Sequence, residues 1–319
     1  VDMTDTQNEV FKTPVNKIRL FEHGAPGSQN LKLTRKYYTE DMPDGRVKHI
    51  VQNITDPDIV PYIPDGIGNS TDRQRIPAVL IIPGGAFRRL VYNFEGEDVA
   101  KWLNSMGIAA FVLECRLPSD EHDNAEDVPL IDAMRAMRVI RGRAQEFGID
   151  EAKIGVMGFS AGGFMAALLS TAYESDVYAD YKYKDEYDKL SARPDFAVCS
   201  YPVISIDDCI EAGKRYMSEK QVLERISDSK AKILHKYNPD KLVRPDMPPV
   251  FICETDDDRT TLSENSVGFY MAARKAGVSA ELHIFRTGGH GYGCGDDFAQ
   301  TGEWKVLFTK WIKSIGIIS

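Results

Sequence analysis

The residues that decide the fold are Lys153-Ile154-Gly155-Val156-Met157-Gly158-Phe159-Ser160-Ala161-Gly162-Gly163. An apolar run ends at Gly158, a serine follows two positions later, and the sequence from Ala161 onward has the composition of a helix. This is the G-x-S-x-G pattern between a strand and a helix. Side chains at positions 158 and 162 would collide with the neighbouring strand and helix on so sharp a turn. The stretch therefore predicts that Ser160 lies at a helix N-terminus as a candidate nucleophile.

The composition is that of a globular protein. The chain has 319 residues, of which 43% are hydrophobic and 27% charged, enough to bury a sizeable core. Its net charge of −9 argues against nucleic acid or an anionic membrane surface as a partner, because both bind basic surfaces. No apolar run reaches the roughly 18 residues of a membrane span. Five cysteines without a C-x-x-C pair predict neither a metal site nor a disulfide framework.

The N-terminus is expected to be a processed end, because the first residue is Val1 rather than methionine. Either a secretory signal or a segment lost in cloning would have preceded it, and signal removal would place the protein in the periplasm or outside the cell. Residues 1–17 are polar and predict a poorly ordered lead-in. One domain is expected over residues 18–319, and the sequence leaves the oligomeric state open.

Four short extended segments precede an alternation of strands and helices. The segments are 17–21, 31–38, 49–54 and 59–62, and they predict antiparallel edge strands. From residue 78 onward, aliphatic strands without polar alternation are separated by helical patterns, which predicts a parallel sheet covered on both faces. The expected fold is therefore α/β, with a central, mostly parallel sheet. Insertions are expected at about 171–190, which is rich in tyrosine, and at 205–240.

A serine nucleophile needs a base that accepts its proton and an acid that orients the base. Both should follow late strands, because functional groups of an open parallel sheet gather at the carboxyl ends of its strands. Of the six histidines, only His290 follows a late strand in a glycine-rich loop, Gly288-Gly289-His290-Gly291. His283 falls inside a predicted strand and is expected to be a packed residue. His290 is therefore the predicted base.

The acid is expected after the strand that begins at Val250, where the chain reads Glu254-Thr255-Asp256-Asp257-Asp258. One of the three aspartates should reach the imidazole, and the spacing does not choose between them. A calcium loop is the alternative, but its D-x-D-x-D-G spacing is absent.

Backbone N–H groups are expected to bind the oxyanion that develops during acyl transfer. The pattern places them at Ala161, after the nucleophile, and at Gly85 and Ala86, in the loop after the strand at 78–82. Small residues in that loop leave backbone rather than side chain facing a substrate. Arg88 and Arg89 follow the loop, either in a solvated turn, which is the more common case, or at the mouth of the site.

The residues identified so far resemble the α/β-hydrolase superfamily, which uses the chain order Ser160, Asp258, His290. More narrowly, the chain from about residue 20 onward is similar to the bacterial acetyl-xylan and feruloyl esterase-like branch. The stretches that carry this resemblance are Leu20-Phe21-Glu22-His23-Gly24-Ala25-Pro26-Gly27, Asn53-Ile54-Thr55-Asp56-Pro57, Pro83-Gly84-Gly85-Ala86-Phe87, Arg193-Pro194-Asp195-Phe196-Ala197-Val198, Tyr201-Pro202-Val203-Ile204, Pro248-Pro249, Glu264-Asn265-Ser266 and Gly289-His290-Gly291.

The resemblance implies a serine esterase that needs no cofactor or metal. Its substrates would be acetyl or feruloyl esters on plant polysaccharide, or small aryl esters. In that family the acid lies six residues before the Glu-Asn-Ser triplet, which favours Asp258 over Asp257. The family's oxyanion loop commonly carries a histidine and three glycines, whereas this chain has Pro83 and, at the third glycine, Ala86. A donor role for Ala86 is expected to require a negative φ.

Two other functions share this scaffold. A serine peptidase of the prolyl-oligopeptidase type has the same core but a large accessory domain, for which these 319 residues leave no room. A catalytically dead homologue that binds carbohydrate is the non-enzymatic alternative, and the occupied Ser160, Asp258 and His290 positions argue against it. The tyrosines between 173 and 187 would offer sugar-stacking faces or a lid, but packing of the insertion against the domain is the favoured interpretation.

Overall fold

A sheet of eight strands runs through the molecule. The computed structural model describes residues 11, 15–67, 75–215, 217–218, 220–222, 229–296 and 300–319. Most of the predicted lead-in at 1–17 and part of the predicted insertion at 205–240 lie outside the described residues. Within the described part of the chain, no helix combines the length and the apolar character that a bilayer crossing requires.

The strands are β1 (Ile18–Arg19), β2 (Lys36–Asp41), β3 (Val47–Gln52), β4 (Asp58–Tyr62), β5 (Ile76–Ile82), β6 (Leu90–Val91), β7 (Ala109–Glu114), β8 (Ile149–Phe159), β9 (Ala197–Ser200), β10 (Val250–Thr255) and β11 (Ala280–Phe285). The large sheet has the order β1-β4-β7-β5-β8-β9-β10-β11. Strands β7, β5, β8, β9, β10 and β11 pair in parallel, whereas β4 is antiparallel to β7 and to β1. The predicted α/β fold with a mostly parallel sheet and antiparallel strands at its N-terminal edge is confirmed.

The helices are α1 (Asp98–Ser105), α2 (Val128–Gly142), α3 (Ala144–Phe147), α4 (Ala161–Ala172), α5 (Ile206–Lys214), α6 (Ser229–Lys236), α7 (Ser263–Lys275) and α8 (Glu303–Ser314). A π-helical turn at Asn93–Glu97 leads into α1. Every side chain of β7 and β10 is buried. Because successive side chains of a strand point to opposite faces, helices must cover both faces of the sheet.

A second, three-stranded sheet with the order β2-β3-β6 lies outside the main sheet. The extended segments predicted at 31–38 and 49–54 therefore form strands, but not at the edge of the main sheet. Their partner β6 consists of only Leu90 and Val91, too few residues for a recognisable strand pattern. This small sheet attaches the β2–β3 hairpin to the chain that leaves the Pro83–Phe87 loop.

The carboxyl ends of four parallel strands carry all of the predicted site residues. Gly85 and Ala86 follow β5, Ser160 follows β8, Asp258 follows β10 and His290 follows β11. Because parallel strands end at the same edge of a sheet, residues from distant parts of the chain are brought to one rim.

The turn between β8 and α4 is built on close backbone contact. A Cβ atom on Gly158 would overlap the carbonyl of Gly162, and one on Gly162 would overlap the carbonyl of Ile82. Both obstacles are backbone atoms, which cannot rotate away.

We expect Gly162→Ala to lower stability by about 3 kcal/mol or more, because the turn must move away from β5. Gly268→Ala is the matched control: Gly268 lies in α7, and a Cβ atom added there would meet no neighbouring atom within 4 Å. That variant should gain about 0.5–1 kcal/mol from the lower helix propensity of glycine. Thermal unfolding of both variants measures the difference, and equal melting temperatures would contradict the packing argument.

Candidate active site

Three side chains from distant parts of the chain form a continuous line of hydrogen bonds. Ser160 Oγ lies 2.9 Å from His290 Nε2. On the opposite side of the ring, His290 Nδ1 lies 2.6 Å from Asp258 Oδ2. This arrangement suits the tautomer in which Nδ1–H donates to the carboxylate and Nε2 accepts from the serine hydroxyl. The structure thus brings the predicted nucleophile, base and acid together.

Ser160 occupies a conformation that non-glycine residues rarely adopt, with φ +53° and ψ −117°. Its N–H donates to the carbonyl of Ser200 at 3.0 Å, and its carbonyl accepts from the N–H of Phe164 at 3.0 Å. These bonds fix the strained residue between β9 and the first turn of α4. The result is a buried serine whose oxygen still reaches the imidazole.

Asp258 is held by donors on both carboxylate oxygens. Its Oδ1 accepts from the N–H groups of Thr260 and Thr261 at 2.7 and 2.9 Å, and its Oδ2 accepts from the Thr261 hydroxyl at 2.9 Å. Burial opposes ionisation of this carboxyl, but the hydrogen bond and charge of His290, with the two backbone donors, hold the pKa of Asp258 below its ordinary value. Asp258 is therefore an anion with a fixed orientation towards the ring.

Asp257 makes a different contact. Its Oδ1 accepts from the N–H of Gly289 at 2.8 Å, so that it supports the loop that carries His290 rather than the ring itself. The alternative that the residue pattern left open between Asp257 and Asp258 corresponds to two distinct positions in the structure.

A second carboxyl, Glu254, is buried behind Asp258. Burial and the neighbouring charge of Asp258 raise the pKa of Glu254 well above its ordinary range. The surroundings of Glu254 therefore favour the neutral form of its carboxyl group over the charged form.

The loop after β5 lines the same cleft, with Gly85, Ala86 and Phe87 facing it alongside Ser160 and Ala161. Within the described part of the chain, the N–H groups of Gly85, Ala86 and Ala161 donate to no protein acceptor. They are therefore available to a substrate oxygen.

Ala86 does not have the negative φ that its donor role was expected to require. Ala86 has φ +58°, between Gly85 at +141° and Phe87 at +61°. The physical reason is a tight reversal in which the N–H groups of Arg88 and Arg89 both donate to the carbonyl of Gly85. Three consecutive residues with positive φ turn the chain back towards β6. The N–H of Ala86 is therefore presented by a backbone conformation different from the one expected.

Sequence reasoning missed Glu95, a buried residue of the π-helical turn. One of its carboxylate oxygens accepts from the N–H of Gly84 at 2.8 Å, and the other accepts from the Tyr201 hydroxyl at 2.9 Å. The Tyr201 hydroxyl also accepts from the N–H of Gly293 at 3.0 Å, and its ring packs edge-on against the His290 ring, with centroids 5.1 Å apart. Glu95 and Tyr201 therefore connect the loop after β5 with the loop that carries the histidine.

The surroundings of Glu95 raise the pKa of its carboxyl group above the ordinary value and so favour its neutral form. Burial raises the pKa of Glu95, whereas the charge of His290 and the donors Tyr201 and Gly84 lower it. No sequence signal marks this residue, because one glutamate in a helical pattern is ordinarily a solvated side chain.

These residues line a cleft of about 440 Å³. Arg89 lines it and the exposed Arg88 does not, so the two arginines differ in position. None of the tyrosines between 173 and 187 is among the described lining residues. Tyr178 is buried, and its hydroxyl donates to Asp188 at 2.8 Å, which supports packing of that segment. His283 lies in β11, as expected, where it contacts Glu281 rather than the cleft.

Comparison with known proteins identifies the family. The BD-FAE family model matches residues 67–272. The chain belongs to the BD-FAE family. The predicted resemblance to esterases of the α/β-hydrolase superfamily is thereby confirmed.

Two curated relatives of this BD-FAE chain are longer proteins. An acetylxylan esterase of Xylanibacter ruminicola is 31% identical over 240 residues, which are 75% of this chain and 45% of that protein. Endo-1,4-beta-xylanase B of Butyrivibrio fibrisolvens is 31% identical over 227 residues, 71% of this chain and 34% of that protein. The chain thus matches less than half the length of either relative.

A solved structure matches over nearly the whole chain. The acetyl ester-xyloside bifunctional hydrolase of Caldicellulosiruptor lactoaceticus is 35% identical, with a TM-score of 0.71, and the match covers 95% of this chain and 97% of that one. This similarity also covers parts of the chain outside residues 67–272, the segment that the family model matches.

The two neighbouring aspartates should respond differently to the same substitution. Asp258→Asn removes the charge that orients the ring, and we expect it to lower kcat by about 10⁴-fold. Asp257→Asn keeps an oxygen that can accept from Gly289 and should cost less than about tenfold. Steady-state hydrolysis of 4-nitrophenyl acetate measures both, and losses of equal size would contradict the assignment of the acid.

Glu95→Gln should lower kcat by about tenfold with little change in KM. The amide can accept from only one of Gly84 and Tyr201, so the loop after β5 loses its fixed position. Glu97→Gln is the matched control, since Glu97 is only partly buried and pairs with Lys101 on the surface of α1. A variant with a lower melting temperature but an unchanged kcat would show that Glu95 serves stability alone.

Proposed function

We propose that the protein is a serine esterase that hydrolyses carboxylic esters, with acetyl groups on xylan-type polysaccharide as its substrates. The observation that carries the proposal is the unbroken line of hydrogen bonds from Ser160 through His290 to Asp258, at the wall of a cleft. A hydroxyl, an imidazole and a buried carboxylate in this order are the groups that acyl transfer by serine requires.

In the proposed mechanism, Ser160 Oγ attacks the ester carbonyl carbon while its proton passes to His290 Nε2. Asp258 holds the ring in the tautomer that can accept this proton and stabilises the imidazolium that forms. The N–H groups of Ala161 and Gly85 are the proposed donors to the oxyanion. The N–H of Ala86, which donates to no acceptor in the described part of the chain, is the third proposed donor, at a positive φ instead of the negative one expected.

The tetrahedral intermediate collapses when the bond to the alcohol oxygen breaks. His290 returns its proton to that oxygen, and the alcohol leaves while the acyl group stays on Ser160. Water then enters, gives its proton to His290 and attacks the acyl carbon. A second collapse breaks the bond to Ser160 Oγ, which takes the proton back, and the carboxylic acid is released.

The substrate class rests on the relatives. Two proteins at 31% and 35% identity carry acetylxylan esterase and acetyl ester-xyloside hydrolase in their names. A cleft of about 440 Å³ has the size of a small-ligand site, so a polymeric substrate would extend beyond it. We also propose that residues 18–319 form one domain, for which the match over 95% of the chain to a single solved structure is the support.

We expect Ser160→Ala to lower the rate of 4-nitrophenyl acetate hydrolysis by about 10⁴- to 10⁶-fold without changing the melting temperature. Ser105→Ala, at the exposed end of α1, is the matched control. Acetate release from acetylated xylan, measured with the same three proteins, tests the proposed substrate. Retention of more than about a tenth of the activity by Ser160→Ala would refute the serine mechanism.

A further inference from the structure

The cleft collects positive charge in a chain whose net charge is −9. Four basic side chains are among its described lining residues: Arg46, Lys48, Arg89 and Arg259. The single carboxyl group in the described lining is Glu95, which is buried and hydrogen-bonded to protein donors. The described lining of the cleft therefore has the opposite sign to the net charge of the whole molecule.

Separate segments of the fold supply these cations. Lys48 lies on β3, and Arg46 immediately precedes that strand in the β2–β3 hairpin. Arg89 follows the loop after β5, and Arg259 follows Asp258. Neither a run of basic residues in the sequence nor one helix face explains this arrangement, because it is produced by tertiary structure alone.

The cations lie at the outer part of the cleft. Arg46, Lys48 and Arg89 are partly buried and Arg259 is exposed. The apolar lining residues Val203, Val222 and Leu234 are buried. The cleft thus has an apolar interior and a cationic mouth.

Nearby acids hold some of these side chains in place. Arg46 pairs with Asp44 at 2.8 Å, Arg89 pairs with Glu40, and Lys48 faces Glu40 across the β2–β3 ladder. Neither acid lines the cleft. Such partly exposed pairs contribute little stability, and a guanidinium has five N–H donors. An arginine at the mouth can therefore donate hydrogen bonds to a second carboxylate while it keeps its first partner.

We propose that this cationic mouth binds a carboxylate carried by the alcohol part of the ester, so that the preferred substrate is an acetylated saccharide with an acidic sugar unit. The inference rests on the proposed esterase function. The saccharide is the part of such a substrate that must extend out of a cleft of about 440 Å³, and so it is the part that passes the mouth. The overall negative charge would repel an anionic substrate, so any preference for one must originate locally.

Two matched substrate pairs test the proposal at different distances from the ester. The first is 4-acetoxybenzoate against 4-acetoxybenzamide, each normalised to its rate of hydrolysis by hydroxide. The second is an acetylated oligosaccharide bearing uronic acid against the same preparation with its carboxylates converted into amides, followed by acetate release. We expect kcat/KM to favour the anionic member by about fivefold in at least one pair at low salt, and this ratio should approach one in about 0.5 M NaCl.

Substitutions of the basic lining residues test whether these residues cause the preference for the anionic substrates. Lys48→Gln and Arg46→Gln should each reduce the anionic-to-neutral ratio by about twofold or more, and the double variant should reduce it further. Lys36→Gln is the matched control, because Lys36 is an exposed lysine of β2 outside the cleft lining, and it should leave the ratio unchanged. Melting temperatures verify that all variants are folded.

The outcomes separate the two proposals. If the wild type hydrolyses none of the four substrates, the esterase function fails. If it hydrolyses the neutral esters and the ratio is one in both pairs, the esterase function stands and the cationic-mouth proposal is overturned. A preference for the anionic esters that is undiminished in the double variant also overturns it, since the selectivity would then arise elsewhere.

Discussion

The turn between β8 and α4 is the constraint on which the site depends. Gly158 and Gly162 let the strand and the helix approach so closely that a single Cβ atom on either would overlap a backbone carbonyl. This approach forces Ser160 into a positive φ and points its oxygen out of the sheet edge. The backbone conformation of Ser160 therefore sets the direction from which the imidazole reaches its oxygen.

The rest of the site is organised by the common edge of the parallel strands. Each of the loops after β5, β10 and β11 would be an independent surface loop if side chains did not link them. Asp258 links the acid loop to the ring, Asp257 links it to the backbone of the histidine loop, and Glu95 with Tyr201 links that loop to the one after β5. Two of these three links are formed by carboxylates, those of Asp257 and Glu95, that make no hydrogen bond to the imidazole. The site is therefore stiff because its loops are tied to one another as well as to the sheet.

Much of this arrangement could be predicted from the sequence, for physical reasons that differ between residues. Ser160 and His290 are marked by the glycines that flank them, and the aliphatic runs of β5, β8 and β10 carry a periodicity that identifies a buried parallel sheet. The residue pattern alone placed the acid only within a run of three aspartates, because neighbouring residues in a loop point in different directions that no periodicity encodes. The family resemblance was needed to favour Asp258.

Other features had no local signal. The two-residue strand β6, the positive φ of Ala86 and the contact between Glu95 and Tyr201 all depend on tertiary contacts between segments that are distant in sequence. The same is true of the four cations at the cleft, which are dispersed between residues 46 and 259. The amino-acid composition gives only the total number of basic residues in the chain, and acidic residues outnumber them.

The position of β11 has a consequence for how the site holds together. In the described sheet this strand is the last one, hydrogen-bonded to β10 on one side only, whereas β8 lies between β5 and β9 near the centre. The nucleophile thus follows a strand that is hydrogen-bonded on both sides, and the imidazole follows a strand that is hydrogen-bonded on one side. Because an end strand has partners on one side only, local opening of β11 would change the alignment of the ring more readily than the position of the serine.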